Sequence, residues 1–217
     1  LPMVKKIVQI GFPAGLQSFM YNSSNISIES TVNILGTDTI AAWTAYGKID
    51  SIYWMIINAF GISITTFVGQ NYGAGKMDRV RKGIRVCLAI AAGATLALSS
   101  ILYLGGYYIL CLFTNDAAVL AIGVDILHFL MPTLITYVTI EIYSGSLRGI
   151  GDCWIPMILT CLGVCVLRVV WVLAAVPFHR TIEMVVVSYP ITWSVTTVLF
   201  FIYFHFFSRL GKRNKAY

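Results

Sequence analysis

Charge is what this 217-residue sequence most lacks. Asp, Glu, Lys and Arg make up 11% of it, against about 25% in an average soluble domain. Hydrophobic residues make up 58%, and the mean hydropathy is +0.81. A chain this poor in charge and this rich in long apolar runs reads as an integral membrane protein with no room for a soluble domain. Histidine is also scarce. The three, His128, His179 and His205, fall on separate elements, which argues against a membrane enzyme with a metal or acid–base cluster. There is no GxGxxG and no GK[ST], so no phosphate-cradling loop is expected. The five cysteines, Cys87, Cys111, Cys153, Cys161 and Cys165, are odd in number and fall mostly within apolar stretches, so they do not form a disulfide framework. Cys161 and Cys165 share a helix face, but nothing nearby completes a metal set. No internal repeat stands out. No cleavable signal peptide is expected either, because the first apolar stretch is too long and lacks a small-residue cleavage site.

What is present is a series of apolar stretches. A membrane helix takes roughly 20 residues, and six such stretches fill the chain, at about 7–35, 46–68, 84–112, 119–147, 155–176 and 184–208. The expected class is therefore an all-α integral membrane protein with six transmembrane helices. The net charge of +6 is distributed like that of a membrane protein rather than a nucleic-acid binder. With alternating loops, one side holds Lys5, Lys6, Lys76, Arg79, Arg81, Lys82, Arg85, Arg148, Arg209, Lys212, Arg213 and Lys215. The other holds Lys48 and Arg180. By the positive-inside rule both termini are expected in the cytoplasm, with the basic tail facing anionic headgroups.

Residues 69–85, GQNYGAGKMDRVRKGIR, break the apolar pattern most sharply. Glycines, an Asn and a basic run read as a polar connection between two membrane helices. From physics alone its role is to set topology.

Two polar stripes cross the apolar background. In the first helix Ser18, Asn22, Asn25, Glu29 and Asn33 are spaced 4, 3, 4 and 4, which is one helical face. In the fourth, Thr133, Tyr137, Glu141, Ser144 and Arg148 are spaced 4, 4, 3 and 4. Polar stripes within a membrane face protein or water. Glu29 and Glu141 are intramembrane carboxylates, and such groups mark functional sites by default. The plainer alternative is a structural, hydrogen-bonded Glu. Arg168 lies mid-span and needs a partner or a wet cavity. Asp125 and His128, one turn apart, are expected to bond to each other. Gly11 and Gly15 form a GxxxG that suits close packing. Tyr53 and Trp54, and the terminal FFIYFHFF, are expected to anchor the membrane interface.

Four stretches carry a family resemblance: IGFPAGLQS, LGTDTIAA, GQNYGAGK with its basic run, and LRGIGDCWIPMI. In order and spacing they resemble the C-terminal half of a multidrug and toxic compound extrusion (MATE) transporter. The resemblance implies one six-helix lobe over residues 1–217, with the N-terminal lobe absent. It implies export of cationic or amphipathic compounds, driven by sodium or proton antiport, with the partner lobe or a second copy supplying the other half of the pathway. No cofactor beyond the coupling ion is implied. The matching cation-site positions are Glu29, Tyr137 and Glu141. Ser18, Asn22, Asn25, Asn33, Thr133 and Arg168 would line the cavity, and Gly69, Gln70, Asn71, Gly73, Gly75 and Arg79 would form the cytoplasmic loop motif. A lipid or polysaccharide flippase of the same broad fold, and a non-transporting fragment, remain alternatives.

Overall fold

The computed structural model describes residues 2–178 and 180–210, apart from the side chains of 2, 3, 5, 6 and 10. The side chains of Lys5 and Lys6, and all of His179, Lys212, Arg213 and Lys215, lie outside the described residues. Six long helical stretches follow one another: α1 (Pro2–Val32), α2 (Thr37–Gly73), α3 (Met77–Leu110), α4 (Ala117–Gly149), α5 (Trp154–Ala175) and α6 (Ile182–Phe207). Among the described residues α2 to α6 are long and apolar enough to cross a membrane. α1 has the length, at 31 residues, but carries the first polar stripe. The chain is a multi-pass membrane protein.

The helices are longer than their apolar runs, because capping chemistry rather than hydropathy ends them. α2 begins at Thr37, nine residues before the expected start, so most of LGTDTIAA is helix and the turn is at Gly36. α2 then runs through GQNY to Gly73, and α3 resumes at Met77. The connection between them is therefore not a loop over 69–85 but residues 74–76 alone. Lys76 N donates to Asn71 O at 2.9 Å and Gly75 N to Tyr72 O at 3.0 Å, while Gly75 takes φ 72°. This is a Schellman C-cap, which needs a left-handed residue at that position. Asn71 Nδ2 adds a bond to Phe67 O at 2.8 Å. The same device ends α4: Asp152 N donates to Leu147 O at 3.0 Å, Gly151 N to Arg148 O at 2.9 Å, and Gly151 has φ 87°. At the other end of α4, Asp116 caps the first turn by accepting from Ala118 N at 2.8 Å.

α2 is the central element. It packs most extensively against α4 and α3, and α4 in turn packs on α6. α1 leans on α5 and barely touches α2. The buried core runs through Tyr46, Ile49, Tyr53, Ile57, Ile64 and Val68 of α2, and onto Leu130, Leu134, Val138 and Ile142 of α4. The α2–α4 crossing is made of backbone. A Cβ on Gly145 would stand 2.8 Å from Gly61 O, and one on Gly149 would stand 2.7 Å from Thr65 O. Thr65 Oγ1 donates to Gly145 O at 3.0 Å across the same contact. Gly11 and Gly15, by contrast, are exposed with nothing near their Cβ positions. The close approach expected of that pair is made instead by Gly61, Gly145 and Gly149.

Three helices contain irregular turns, the third being a π-turn over Tyr203–Phe207 at the end of α6. Pro132 sits in a 3₁₀ turn, Met131–Thr133, where its missing N–H interrupts the α-helical ladder. α5 winds as a π-helix over Cys161–Val166, which turns Arg168 inward. Tyr53 is not an interface anchor. Because α2 starts early, Tyr53 falls deep in the bundle, donating to Leu134 O at 3.1 Å. The terminal aromatic cluster divides. Phe206 and Phe207 are exposed, while Phe204 is buried and stacks on Tyr143 at 4.2 Å.

Candidate transport site

The gap left between α1 and α2 is a cavity of about 470 Å³. α1 contributes Tyr21, Asn25, Ile28 and Glu29. α2 contributes Trp43, Tyr46, Gly47, Asp50, Ser51, Trp54, Met55 and Asn58. Arg168 of α5 and Tyr189 of α6 close it. Its walls are aromatic and its charged groups are few. Trp54 Nε1 donates to Asp50 Oδ2 at 2.6 Å, while Asp50 Oδ1 is buried with no hydrogen-bond partner among the described residues. Arg168 is 2% exposed. Its guanidinium carbon lies 4.0 Å over the Tyr189 ring, a cation–π contact, and its Nε is likewise without a hydrogen-bond partner. When Glu29, Asp50 and Arg168 are all ionised, the cavity carries one net negative charge.

Beneath this cavity Tyr137 of α4 packs its ring edge-on to Trp54 at 4.7 Å and to Trp193 at 5.7 Å. Its hydroxyl meets that of Tyr21 at 3.2 Å. One turn on, Glu141 lines a second, smaller cleft of about 280 Å³ with Asn58, Gly61, Ile62, Thr65, Thr66 and Arg148. Arg148 Nη2 donates to Glu141 Oε1 at 3.2 Å. A Cβ at Gly61 would run into this carboxylate, so glycine at that position gives Glu141 its room against α2. Asn58 lines both hollows. They lie end to end along one face of α2, from Gly47 through Asp50, Trp54, Asn58 and Gly61 to Thr65.

The structure distributes the expected site residues as follows. Tyr137 is brought under the cavity that Glu29 lines, while Glu141 stands in the adjoining cleft, held by Arg148. Asn25 and Arg168 line the main cavity. Asn33 lines a neighbouring hollow with Glu29, Trp43, Thr44 and Lys48. Ser18 and Asn22 are exposed on the same face of α1. Thr133 Oγ1 donates to Leu130 O at 2.7 Å within its own turn. Asp125 does not hold His128. The His128 ring packs on Tyr103 at 4.4 Å, and its Nε2 lies 3.0 Å from Tyr103 O, because α3 is a nearer neighbour than the next turn of α4. Gly69, Gln70, Asn71 and Gly73 are helical, Gly75 is the cap, and Arg79 lies in the first turn of α3. Sequence reasoning missed Asp50. Its signal was the spacing of residues 47, 50, 54, 58, 61 and 65, a helical face of small, polar and aromatic residues hidden in an otherwise apolar stretch.

A family model described as MatE matches residues 13–173. The chain belongs to the MatE family. This MatE chain is 26% identical over 203 residues to a probable multidrug resistance protein, YoeA, of Bacillus subtilis, covering 92% of the chain and 43% of that protein. It is 30% identical over 164 residues to a probable multidrug resistance protein, NorM, of Acinetobacter baylyi, covering 74% of the chain and 36% of that protein. Among solved structures it resembles a Vibrio cholerae MATE transporter, VcmN, with a TM-score of 0.88 at 18% identity, covering 97% of the chain and 48% of that structure. A MOP superfamily transporter from Pyrococcus furiosus gives 0.86 at 16%, over 94% and 45%. These likenesses fix the fold as that of part of a MATE transporter. The MatE chain spans less than half the length of these relatives.

Proposed function

We propose that the chain acts as the C-terminal lobe of a cation-coupled exporter of cationic, amphipathic compounds. The observation that carries this reading is the main cavity, lined by five aromatic residues, two carboxylates and one guanidinium already held by a ring. Flat apolar surfaces suit an amphipathic body, and a net negative charge suits a cation. A lipid or polysaccharide flippase would need a more basic cavity.

In this reading Glu29 and Asp50 face the substrate. Glu141 takes the coupling ion, sodium or a proton, next to Tyr137. Arg148 supplies the counter-charge when the ion is absent, and an arriving ion would displace it. Tyr137, touching Tyr21 of α1, would carry that exchange to the cavity wall. Alternating access in transporters rocks one bundle against another around a midplane site, so a second lobe is needed to seal the pathway. The Lys/Arg asymmetry puts both termini and the Gly75 turn on the cytoplasmic side.

The test is reconstitution in liposomes that carry an imposed sodium or proton gradient. The chain alone should bind a fluorescent monocation without exporting it. Joined to a MATE N-terminal lobe it should export. Export by the chain alone would overturn the half-transporter reading and imply a homodimer. Failure of the joined protein to bind the cation would overturn the site.

A further inference from the structure

On the side of α2 away from the transport cavity lies a separate groove of about 680 Å³. Phe60, Ile64 and Phe67 of α2 and Val86 and Ile90 of α3 line its length, and Arg79 and Lys82 stand at one end. Val86 and Ile90 are exposed, so the groove opens away from the bundle. A Cβ at Gly83 would run into the Phe67 ring, and its absence lets that ring sink between the helices and form the floor. From Arg79 to Ile90 the axis advances about 16 Å at 1.5 Å per residue. That is close to half of the roughly 30 Å hydrocarbon core, one leaflet deep. The two cations fall in the first turns of α3, beside the polar cap at Gly75, where a headgroup layer would lie. The groove is thus apolar for the length of an acyl chain and doubly cationic where the chain's phosphate would be.

We infer that the α2–α3 groove binds an anionic glycerophospholipid, one acyl chain along Phe60, Ile64, Phe67, Val86 and Ile90 and its phosphate between Arg79 and Lys82. A juxtamembrane Lys or Arg attracts an anionic lipid surface. Both phosphatidylglycerol and phosphatidylcholine carry the phosphodiester anion, but phosphatidylcholine adds a choline cation that two nearby cations repel, so the pair selects phosphatidylglycerol, and the apolar groove holds the lipid after the headgroup is caught.

Cys87 lines the groove and is half-buried, so it reports occupancy. In a variant of the chain that retains Cys87 as its single thiol, in neutral detergent, maleimide labelling is timed with and without added lipid. Phosphatidylglycerol should slow labelling at least about fivefold, while phosphatidylcholine and glycerol 3-phosphate leave the rate nearly unchanged. In Arg79→Gln/Lys82→Gln the slowing should vanish. In Val86→Trp, which fills the groove and keeps both charges, it should also vanish. Equal protection by phosphatidylcholine, protection by glycerol phosphate alone, undiminished protection in the charge variant, or no lipid effect at all would each overturn the site.

Discussion

Arg148 Nη2 stands 3.2 Å from Glu141 Oε1, two turns along the same helix. The carboxylate the sequence singled out as an ion site is therefore occupied by an internal cation in the arrangement described. The Arg148 side chain is 28% exposed and that of Glu141 12%, so the carboxylate is largely desolvated and needs a counter-charge, which either Arg148 or an arriving ion supplies. In the chain joined to a MATE N-terminal lobe, Arg148→Gln should lower the half-saturating concentration of the proposed coupling cation at least about fivefold, the factor that about 1 kcal/mol of competing charge attraction implies. Glu141→Gln should abolish ion-driven export while binding of the fluorescent monocation persists. Ion titrations of export in proteoliposomes measure both, and an unchanged ion dependence in Arg148→Gln removes Arg148 from the coupling step.

Asp50 supplies the second test. Its Oδ1 is buried and unpartnered in the main cavity. Asp50→Asn should weaken equilibrium binding of a monocationic dye at least about fivefold, since unit charges about 4 Å apart attract by about 1 kcal/mol even at the dielectric of water. Glu29→Gln should act in the same direction. Binding of a neutral analogue should be unaffected, and a matching loss there would show that the pocket had collapsed instead.

The glycines of the α2–α3 connection separate by role. Gly73→Ala meets no atom within 4 Å and sits in helix, so it should raise stability by about 0.5–1 kcal/mol. Gly75→Ala must hold φ 72°, and should cost about 1–2 kcal/mol. Thermal midpoints in detergent rank the two. Equal midpoints would contradict the cap.

Gly149→Ala should be worse than either. Its Cβ would press on the Thr65 carbonyl oxygen at 2.7 Å, and backbone cannot rotate aside as a side chain does. The expected cost is about 1–3 kcal/mol, read from the same melting experiment.

For topology, cysteines placed at Lys76 and Lys48 on a Cys-free background should label from opposite faces of the membrane. Lys76→Cys should be protected in intact cells and Lys48→Cys accessible. The reverse pattern would invert the orientation inferred from charge.

The fold class was legible because hydropathy alone separates membrane helices from everything else. The helix ends were not. α2 begins at Thr37 because Gly36 makes the turn there, and it continues through Gln70 and Asn71 because a Schellman cap satisfies its last carbonyls. Polar residues in such a cap look like a loop when only polarity is read. The stripe that led to Tyr137 and Glu141 was correctly identified as one face of a helix. Periodicity put Arg148 on the same face as Glu141, but it could not say which neighbouring helix that face meets, so Tyr21 as contact had to come from the packing. Asp50 was overlooked because one carboxylate near the start of an apolar run resembles a helix end. His128 was matched to Asp125 by spacing, whereas the nearest acceptor proved to be on another helix.

The backbone contact between α2 and α4 has a mechanical consequence. Gly61, Thr65 and Gly69 face Glu141, Gly145 and Gly149 like teeth cut to one pitch. Sliding either helix would bring a side chain against backbone where a Cβ at Gly145 or Gly149 already finds no room. The two helices therefore travel as one strut, and the cavity and the Glu141 cleft ride on it together. Any change of shape in this lobe has to come from the lighter parts around the strut: α1, which barely touches it, and α5, whose π-turn already departs from the regular pitch.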